Sequence, residues 1–147
     1  MYKAKCKKTE SWVFGSLFKS EQESYILQVL IPDEKTYSWD NGLRGYGCYG
    51  YEVDSSTLCC SIGKTDSNNN IIYTNDIVRA VYDGEERILV VVWDQDELDF
   101  KATNGKENYG KTFLYISCCD EIEVIGNSID NPELLCMVGK VTRQAYV

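Results

Sequence analysis

Apolar and polar residues alternate at the start of the chain, where Tyr2, Ala4 and Cys6 are separated by lysines. This period of two residues predicts a half-buried strand over Tyr2–Lys8, with the lysines on the opposite face. Short runs rich in aromatic and β-branched residues predict four more strands in the first part of the chain. They are Trp12–Phe18, Tyr25–Ile31, Tyr51–Val53 and Thr57–Ile62, with a Gly/Tyr-rich loop at Gly42–Gly50.

The second part of the chain continues this pattern of short apolar runs between turn residues. It predicts strands at Ile77–Tyr82, Arg87–Trp93, Leu98–Ala102, Thr112–Ser117 and Ile122–Ile125. Asp83-Gly84 predicts a hairpin with a loop of about four residues. Turns are predicted at Asp66–Asn70 and at Asn104-Gly105. Asn131-Pro132-Glu133 predicts the start of a short helix, with Asn131 as its N-cap.

Many short strands with frequent turns predict an all-β fold, a barrel or a sandwich with a minor helical tail. We expect an N-terminal β subdomain over residues 1–61 and a small SH3-like barrel over residues 62–126. A tail with a short helix follows over residues 127–147, and the three parts are expected to pack as one compact unit.

Composition favours a soluble globular protein of the cytosol. The chain has 147 residues, of which 44% are hydrophobic and 26% are charged. The longest apolar run, Ile88–Trp93, has six residues, whereas a membrane span needs about 20. Positive charge near the start is not followed by the apolar segment of a signal peptide. The chain has no histidine, which excludes mechanisms that need an imidazole.

Charge is unevenly distributed around a formal net value of −8. Residues 1–8 carry four lysines and no acid, whereas residues 83–99 carry seven acids and one arginine. An acidic body repels phosphate, so a role on duplex DNA is disfavoured. The acidic segment is interpreted as a solvated rim that keeps the protein in solution.

Seven cysteines lack the two-residue spacing of zinc ribbons and redox motifs. In the pairs Cys59-Cys60 and Cys118-Cys119, a strand would place one thiol inside and one outside. Reduced thiols that fill the core are the favoured interpretation. A metal site that brings the two pairs together across strands remains an alternative.

The Gly/Tyr-rich loop contains two tempting patterns. Gly45–Gly50 spells GxGxxG, but no strand precedes it and no helix follows, so a dinucleotide site is rejected. Arg44–Tyr51 partly fits an RNA-binding pattern but has Cys48 where an aromatic ring is required. Exposed tyrosines beside arginine could still stack single-stranded bases. The residues of this hypothesis are Lys3, Lys5, Lys7, Lys8, Arg44, Tyr46 and Tyr49.

Two acidic segments are candidate metal sites. Asp66–Asn70 resembles the start of an EF-hand loop, but Ile71 and Ile77 replace the required glycine and glutamate, so it is predicted to be a turn. Asp94, Asp96 and Asp99 could form the site of a metal-dependent hydrolase. An acidic hairpin is favoured over such a site, since no base was identified nearby in sequence.

A set of segments stands in a recognisable order along the chain. They are Trp12–Leu17, Glu52–Leu58 with Ile62–Asp66, Ile72–Val78, Val91–Asp94, and Val124–Asn127 with Asn131–Leu135. Together they resemble the YopX family of phage and prophage proteins. The resemblance departs from the family pattern at Ser55, where the family has proline, and at Asn75, where it has glycine. It implies a β-rich fold, a phage or prophage origin and residence in the bacterial cytoplasm. It brings no catalytic residues.

We therefore expect a non-catalytic module without metal or cofactor that binds a phage or host protein, with homo-oligomerisation as an option. Eleven tyrosines and three tryptophans supply aromatic anchors of the kind enriched at interfaces. Single-stranded nucleic-acid binding is the alternative, and it requires the basic strand and the Gly/Tyr loop to share a face. A metal-dependent hydrolase is the third hypothesis, and it requires three converging carboxylates.

Overall fold

The computed structural model describes residues 1–30, 47–104, 113–139 and 141–143. These residues lie mostly in antiparallel β-strands, with 3₁₀ helices at Ser55–Thr57, Ile116–Cys118 and Pro132–Met137. The chain divides into two compact units, Met1–Cys60 and Ser61–Val147. The longest helical segment within these ranges has six residues, so none of the described helices could span a membrane.

The first unit is an antiparallel sheet with the strand order β4-β3-β2-β1-β5. Its strands are β1 (Tyr2–Lys5), β2 (Trp12–Lys19), β3 (Ser24–Leu30), β4 (Gly47–Val53) and the start of β5 (Cys59–Thr65). A bridge between Cys6 and Val53 joins the ends of β1 and β4. Because two strands lie between them in the sheet, this bridge requires the sheet to curve.

The curved sheet encloses a small core made of Ala4, Ile26 and Val53. The strand register places these three residues on one face, since side chains alternate along each strand. The half-buried side chains of Val13, Leu17 and Leu58 pack against them. The other face of β2 and β3 points away from this core.

The second unit has the strand order β10-β9-β8-β7-β11, and β12 pairs with β8. Its strands are β6 (Ile71–Tyr73), β7 (Asp76–Tyr82), β8 (Glu85–Asp94), β9 (Asp99–Thr103), β10 (Phe113–Tyr115), β11 (Glu121–Asn127) and β12 (Val141–Arg143). The end of β5 pairs with β6. One core contains Val78, Leu89 and Val91, and a second contains Ile77 and Val90.

The hairpin between β7 and β8 is tighter than predicted. Tyr82 pairs with Glu85, so the loop has only Asp83 and Gly84, not about four residues. Their φ angles of 49° and 73° are both left-handed. This is the geometry of a type I′ turn, for which Asp-Gly is a favoured pair because its twist matches that of the strands.

Other predicted boundaries also shift. Strand β1 ends at Lys5 rather than Lys8, and Gly47–Gly50 belongs to β4 rather than to a loop. Within the predicted strand Thr112–Ser117, the described part is β10 followed by the 3₁₀ helix Ile116–Cys118. Several predictions lie outside the described residues, namely Ile31, Gly42–Tyr46 and Gly105.

The predicted tail helix is a single 3₁₀ segment, Pro132–Met137, and Asn131 makes no side-chain capping hydrogen bond to it. Asn131 Oδ1 instead accepts from the backbone N–H of Asn127, at 3.2 Å. The side chain therefore fixes the end of β11 rather than the start of the helix. Apart from the isolated Cys6–Val53 bridge, strand pairing closes neither sheet within the described residues, so the SH3-like barrel stays a prediction.

Candidate protein-interaction surface

An aromatic face lies on the outer side of the first unit. We define it as Trp12, Phe14 and Phe18 on β2 with Tyr25 and Leu27 on β3. The register pairs Phe18 with Tyr25 and Ser16 with Leu27, which places all of these side chains on one side of the sheet. Phe14 is 45% exposed and Phe18 is 54% exposed. The rings of Phe18 and Tyr25 lie 6.3 Å apart.

Lysines of β1 flank the aromatic face at Trp12. Lys3 Nζ lies 4.7 Å and Lys5 Nζ 5.1 Å from the centre of the Trp12 ring. This is the distance of a cation–π interaction. Lys3 is buried and Lys5 is half-buried, so the predicted row of exposed lysines is wrong for these two residues. Their aliphatic stems cover apolar surface instead.

Lys7 and Lys8 are exposed at the end of this segment. Lys7 Nζ donates to Glu52 Oε1 at 2.8 Å, and this bond raises the pKa of Lys7. An exposed ion pair of this kind stabilises the fold little. It does, however, offset the charge that the nucleic-acid hypothesis assigns to Lys7.

Tyr49, one of the two tyrosines of the same hypothesis, lies on the opposite face of the sheet from Lys3 and Lys5. Tyr49 pairs with Gln28, one residue out of step with Leu27, so its side chain points to the face opposite the Lys3–Lys5 face. Arg44 and Tyr46 lie outside the described residues. Of the residues proposed to bind a single strand, those described do not share a face.

The three candidate acids of a hydrolase separate into one buried and two exposed residues. Asp94 is buried, whereas Asp96 and Asp99 are exposed. Lys101 Nζ, itself buried, donates to Asp94 Oδ2 at 2.6 Å. Asp94 Oδ1 accepts from the backbone N–H groups of Asp96 and Glu97. Asp94 is therefore an internal anchor of the β8–β9 turn, and the prediction of a wholly solvated rim is wrong for it.

Lys101 completes this cluster of charged residues and was not predicted from the sequence. It pairs with Val92, which makes it the diagonal neighbour of Asp94 across the hairpin. Lys101 Nζ also lies 3.0 Å from Glu97 Oε2 and 4.2 Å from the centre of the Phe113 ring. The signal was available, because pairing the predicted strands around the turn brings residue 101 beside residue 94.

Hydrogen bonding shifts the pKa values of buried Asp94 and Lys101 and of exposed Glu97. The bond from Lys101, followed by the backbone bonds, lowers the pKa of Asp94, and the same ion pair raises the pKa of Lys101. Glu97 accepts from the Tyr115 hydroxyl at 2.7 Å, which together with Lys101 lowers its pKa. Each shift favours the charged form of the group, so the cluster is a stable ion pair rather than a proton donor.

Divalent cations are expected to leave the melting temperature unchanged. The Asp94 carboxylate is already bound by Lys101, and in the described ranges no three Cys, Asp or Glu side chains could hold a metal ion together. Specific binding to the folded state would raise Tm by mass action. Thermal melts with millimolar Mg²⁺ or Mn²⁺ provide the test. A saturable rise that Asp96→Asn removes would contradict this prediction.

The turn Asp66–Asn70, which resembles the start of an EF-hand loop, is hydrogen-bonded to β11 through the Asp66 carboxylate. Asp66 Oδ1 accepts from the backbone N–H groups of Asn68 and Asn70, and Oδ2 accepts from that of Val124 at 2.9 Å. Burial alone would raise the pKa of Asp66, but these bonds outweigh it and lower the pKa. The carboxylate joins the β5–β6 turn to β11, as a turn residue and not as a calcium ligand.

The adjacent cysteine pairs differ in environment. Cys59 is buried and Cys60 is half-buried on β5, while Cys118 is exposed and Cys119 is half-buried. The prediction that Cys118-Cys119 lie on a strand is wrong, because Cys118 ends a 3₁₀ helix and Cys119 follows it. Burial raises the pKa of the Cys119 thiol to about 11.

One protein-family model, described as the YopX protein, matches residues 1–136. This chain belongs to the YopX family. The resemblance inferred from its ordered segments is thereby confirmed. No curated protein matches the chain.

The segments that carry the YopX resemblance hold the fold together. Asn75 has a φ of 70°, and Asp76 Oδ2 accepts from the Tyr73 N–H at 2.8 Å, so these two residues form a turn before β7. A Cβ at Gly126 would lie 2.7 Å from Asn131 Oδ1 and 2.9 Å from Leu134 Cδ1. Glycine there lets the Pro132–Met137 segment approach β11. These YopX motifs are explained by structure without reference to a ligand.

Proposed function

We propose that this YopX-family protein is a non-catalytic module that binds another protein through the aromatic face. The observation that carries the proposal is the outward exposure of Phe14 and Phe18 on one strand. Large aromatic side chains are enriched at protein interfaces, where burying them contributes most of the binding free energy. Tyr25 and Leu27 extend the same apolar surface.

The proposed partner is a phage or host protein in the bacterial cytoplasm, and self-association is the second option. The arrangement of the acids supports a binding role over hydrolysis, since Asp94 is held by Lys101 while Asp96 and Asp99 point into solvent. We also propose that residues 62–126 form an SH3-like barrel. Its support is that β8 pairs with β7, β9 and β12, as a long strand shared between two sides of a barrel would.

Capture experiments with matched variants test the binding role. The immobilised protein, a Phe14→Ser/Phe18→Ser variant and a Tyr82→Ser/Trp93→Ser variant are each exposed to host lysate. Tyr82 and Trp93 are exposed to a similar degree but lie in the second unit. We expect a protein retained by the first and third samples and lost from the second. Equal retention by all three would contradict the aromatic face as the binding surface.

Self-association is separated from hetero-association by size. Sedimentation equilibrium of the purified protein at micromolar concentration distinguishes a monomer from an oligomer. An oligomer that dissociates in the Phe14→Ser/Phe18→Ser variant would assign the aromatic face to a second copy of the chain.

Single-stranded nucleic acid is expected to bind no tighter than high micromolar at physiological salt. Lys3 packs on Trp12, Lys7 pairs with Glu52, and the chain carries a net charge of −8. Four phosphate contacts would give a salt slope of at most about −3. Fluorescence anisotropy with labelled DNA and RNA strands across a salt series measures this. A submicromolar affinity lost on Lys5→Glu/Lys7→Glu substitution would favour the nucleic-acid hypothesis.

A further inference from the structure

An open cleft of about 260 Å³ lies in the second unit, between the β5–β6 turn and the segment that leads into β11. Its apolar lining consists of Ile72, Ile116 and Ile122. All three belong to the same hydrophobic core cluster, so the cleft opens directly onto the core. A ligand group that enters it would contact the outer edges of these three buried side chains.

The size of the cleft limits what it can hold. Pockets for whole cofactors and drug-sized ligands usually measure about 300–1,000 Å³. This cleft is smaller and open, so it suits a single large side chain rather than a nucleotide. The thiol of Cys119, which lines the cleft, has a pKa of about 11 because it is partly buried. It is protonated at neutral pH and is a poor nucleophile, which favours binding over covalent chemistry.

The polar lining of the cleft is predominantly acidic. Asp66, Asp120 and Glu121 contribute carboxylates, and Lys64 contributes a cation. Asp66 is committed to backbone N–H groups, and Glu121 is bonded to Arg79 at 3.1 Å. Asp120 is exposed and accepts from the Asp83 N–H. Residues 61–147 contain fifteen acids and eight lysines or arginines, so the surroundings are also negative.

We propose that this cleft binds one large apolar side chain of a partner peptide whose neighbouring residues are lysine or arginine. The apolar side chain enters above Ile72, Ile116 and Ile122, and a flanking cation approaches Asp120. No residue that lines the cleft belongs to the aromatic face, so the proposal can be tested independently of the proposed function.

Three short peptides test the chemistry of this site by titration into the ¹⁵N-labelled protein. Acetyl-Gly-Lys-Phe-Lys-Gly-amide is expected to bind with a dissociation constant below about 1 mM. Amide shifts should be concentrated at Ile72, Ile116 and Ile122. Replacing its phenylalanine by alanine should weaken binding about tenfold or more, since the apolar contact is lost. Replacing both lysines by glutamate should weaken it to a similar extent, because like charges then meet.

Two variants place the binding in the cleft. Cys119→Phe fills the cleft and should abolish binding, while Asp120→Asn keeps the acceptor for Asp83 and should weaken binding about threefold. Asp96→Asn removes the same charge from an exposed turn outside the cleft and should leave binding unchanged. The unliganded spectrum of each variant shows whether it is folded. If Cys119→Phe does not fold, the effect of Asp120→Asn alone shows whether the peptide binds in the cleft.

The proposal is overturned by any of four results. The first is the absence of amide shifts at millimolar peptide, and the second is a set of shifts that maps to residues outside the cleft. The third is equal binding of the alanine and phenylalanine peptides, which would indicate charge attraction alone. The fourth is equal binding of the glutamate and lysine peptides, which would show that the acidic lining does not select a basic partner.

Discussion

Replacing Gly15 by alanine is expected to lower the free energy of unfolding by about 2–3 kcal/mol. Strand β2 pairs with β1 through Gly15 and with β3 from Ser16 onward, so Gly15 lies where the pairing of β2 passes from one neighbour to the other. A Cβ at this position would overlap the backbone oxygen of Leu27. Backbone cannot move away as a side chain can, so the strain must spread through the sheet.

Gly50→Ala is the matched control for this prediction. Gly50 lies in the same sheet and faces the same residue, but its Cβ would meet only the flexible Leu27 Cδ2 atom, at 3.3 Å. Urea unfolding of both variants gives the free energies. If Gly15→Ala is as stable as Gly50→Ala, the close approach of β2 to β3 is not a constraint on the fold.

Removal of the Lys101 ammonium group is expected to lower Tm by roughly 10 °C. In Lys101→Met, the buried Asp94 carboxylate loses the cation that lies 2.6 Å away. An uncompensated buried charge is far more costly than the loss of an exposed pair. Asp96→Ala and Asp99→Ala remove neighbouring exposed acids and should leave Tm nearly unchanged.

A double-mutant cycle tests whether the two groups act as a pair. Asp94→Asn keeps an oxygen that can accept from the N–H groups of Asp96 and Glu97. The double variant Asp94→Asn/Lys101→Met leaves no buried charge and should be less destabilised than the sum of the single variants. Additive losses would show that Asp94 and Lys101 contribute independently.

The shifted pKa values of Asp94, Glu97 and Lys101 predict how the stability of the fold depends on pH. The folded pKa values of Asp94 and Glu97 lie below their ordinary values of 3.8 and 4.5. Their contribution is therefore present above about pH 4.5 and is lost as pH falls through the folded values. The pKa of Lys101 lies above 10.5, so its contribution is lost only as pH rises beyond that value. Lys101→Met should flatten the loss of stability in acid, and an unchanged slope would contradict this assignment.

Local sequence determined the features whose interactions are close along the chain. The tight turn at Asp83-Gly84 and the turn at Asn75-Asp76 follow from backbone conformations that few residue types adopt easily. Alternation of apolar residues indicated most strands, and their density indicated an all-β fold. The ordered motifs also sufficed to indicate the YopX family.

Strand pairing decided the features that connect distant residues. Alternation divides a strand into two faces but does not say which face is covered, so Lys3 was expected in solvent and lies on Trp12. The register places Tyr49 away from that lysine face. It also places Lys101 beside Asp94. Asp94, which was predicted to be part of a solvated rim, is therefore half of a buried ion pair.

The tail shows the same division between local and distant interactions. Asn131-Pro132 correctly predicted where a helical segment begins, because proline is favoured at the first helical position. Its length and the role of Asn131 depended on β11, where Gly126 makes room and the Asn127 N–H needs an acceptor. Sequence alone thus determined where the chain turns and extends, while the tertiary structure decided which polar groups face solvent, because their partners are supplied by other strands.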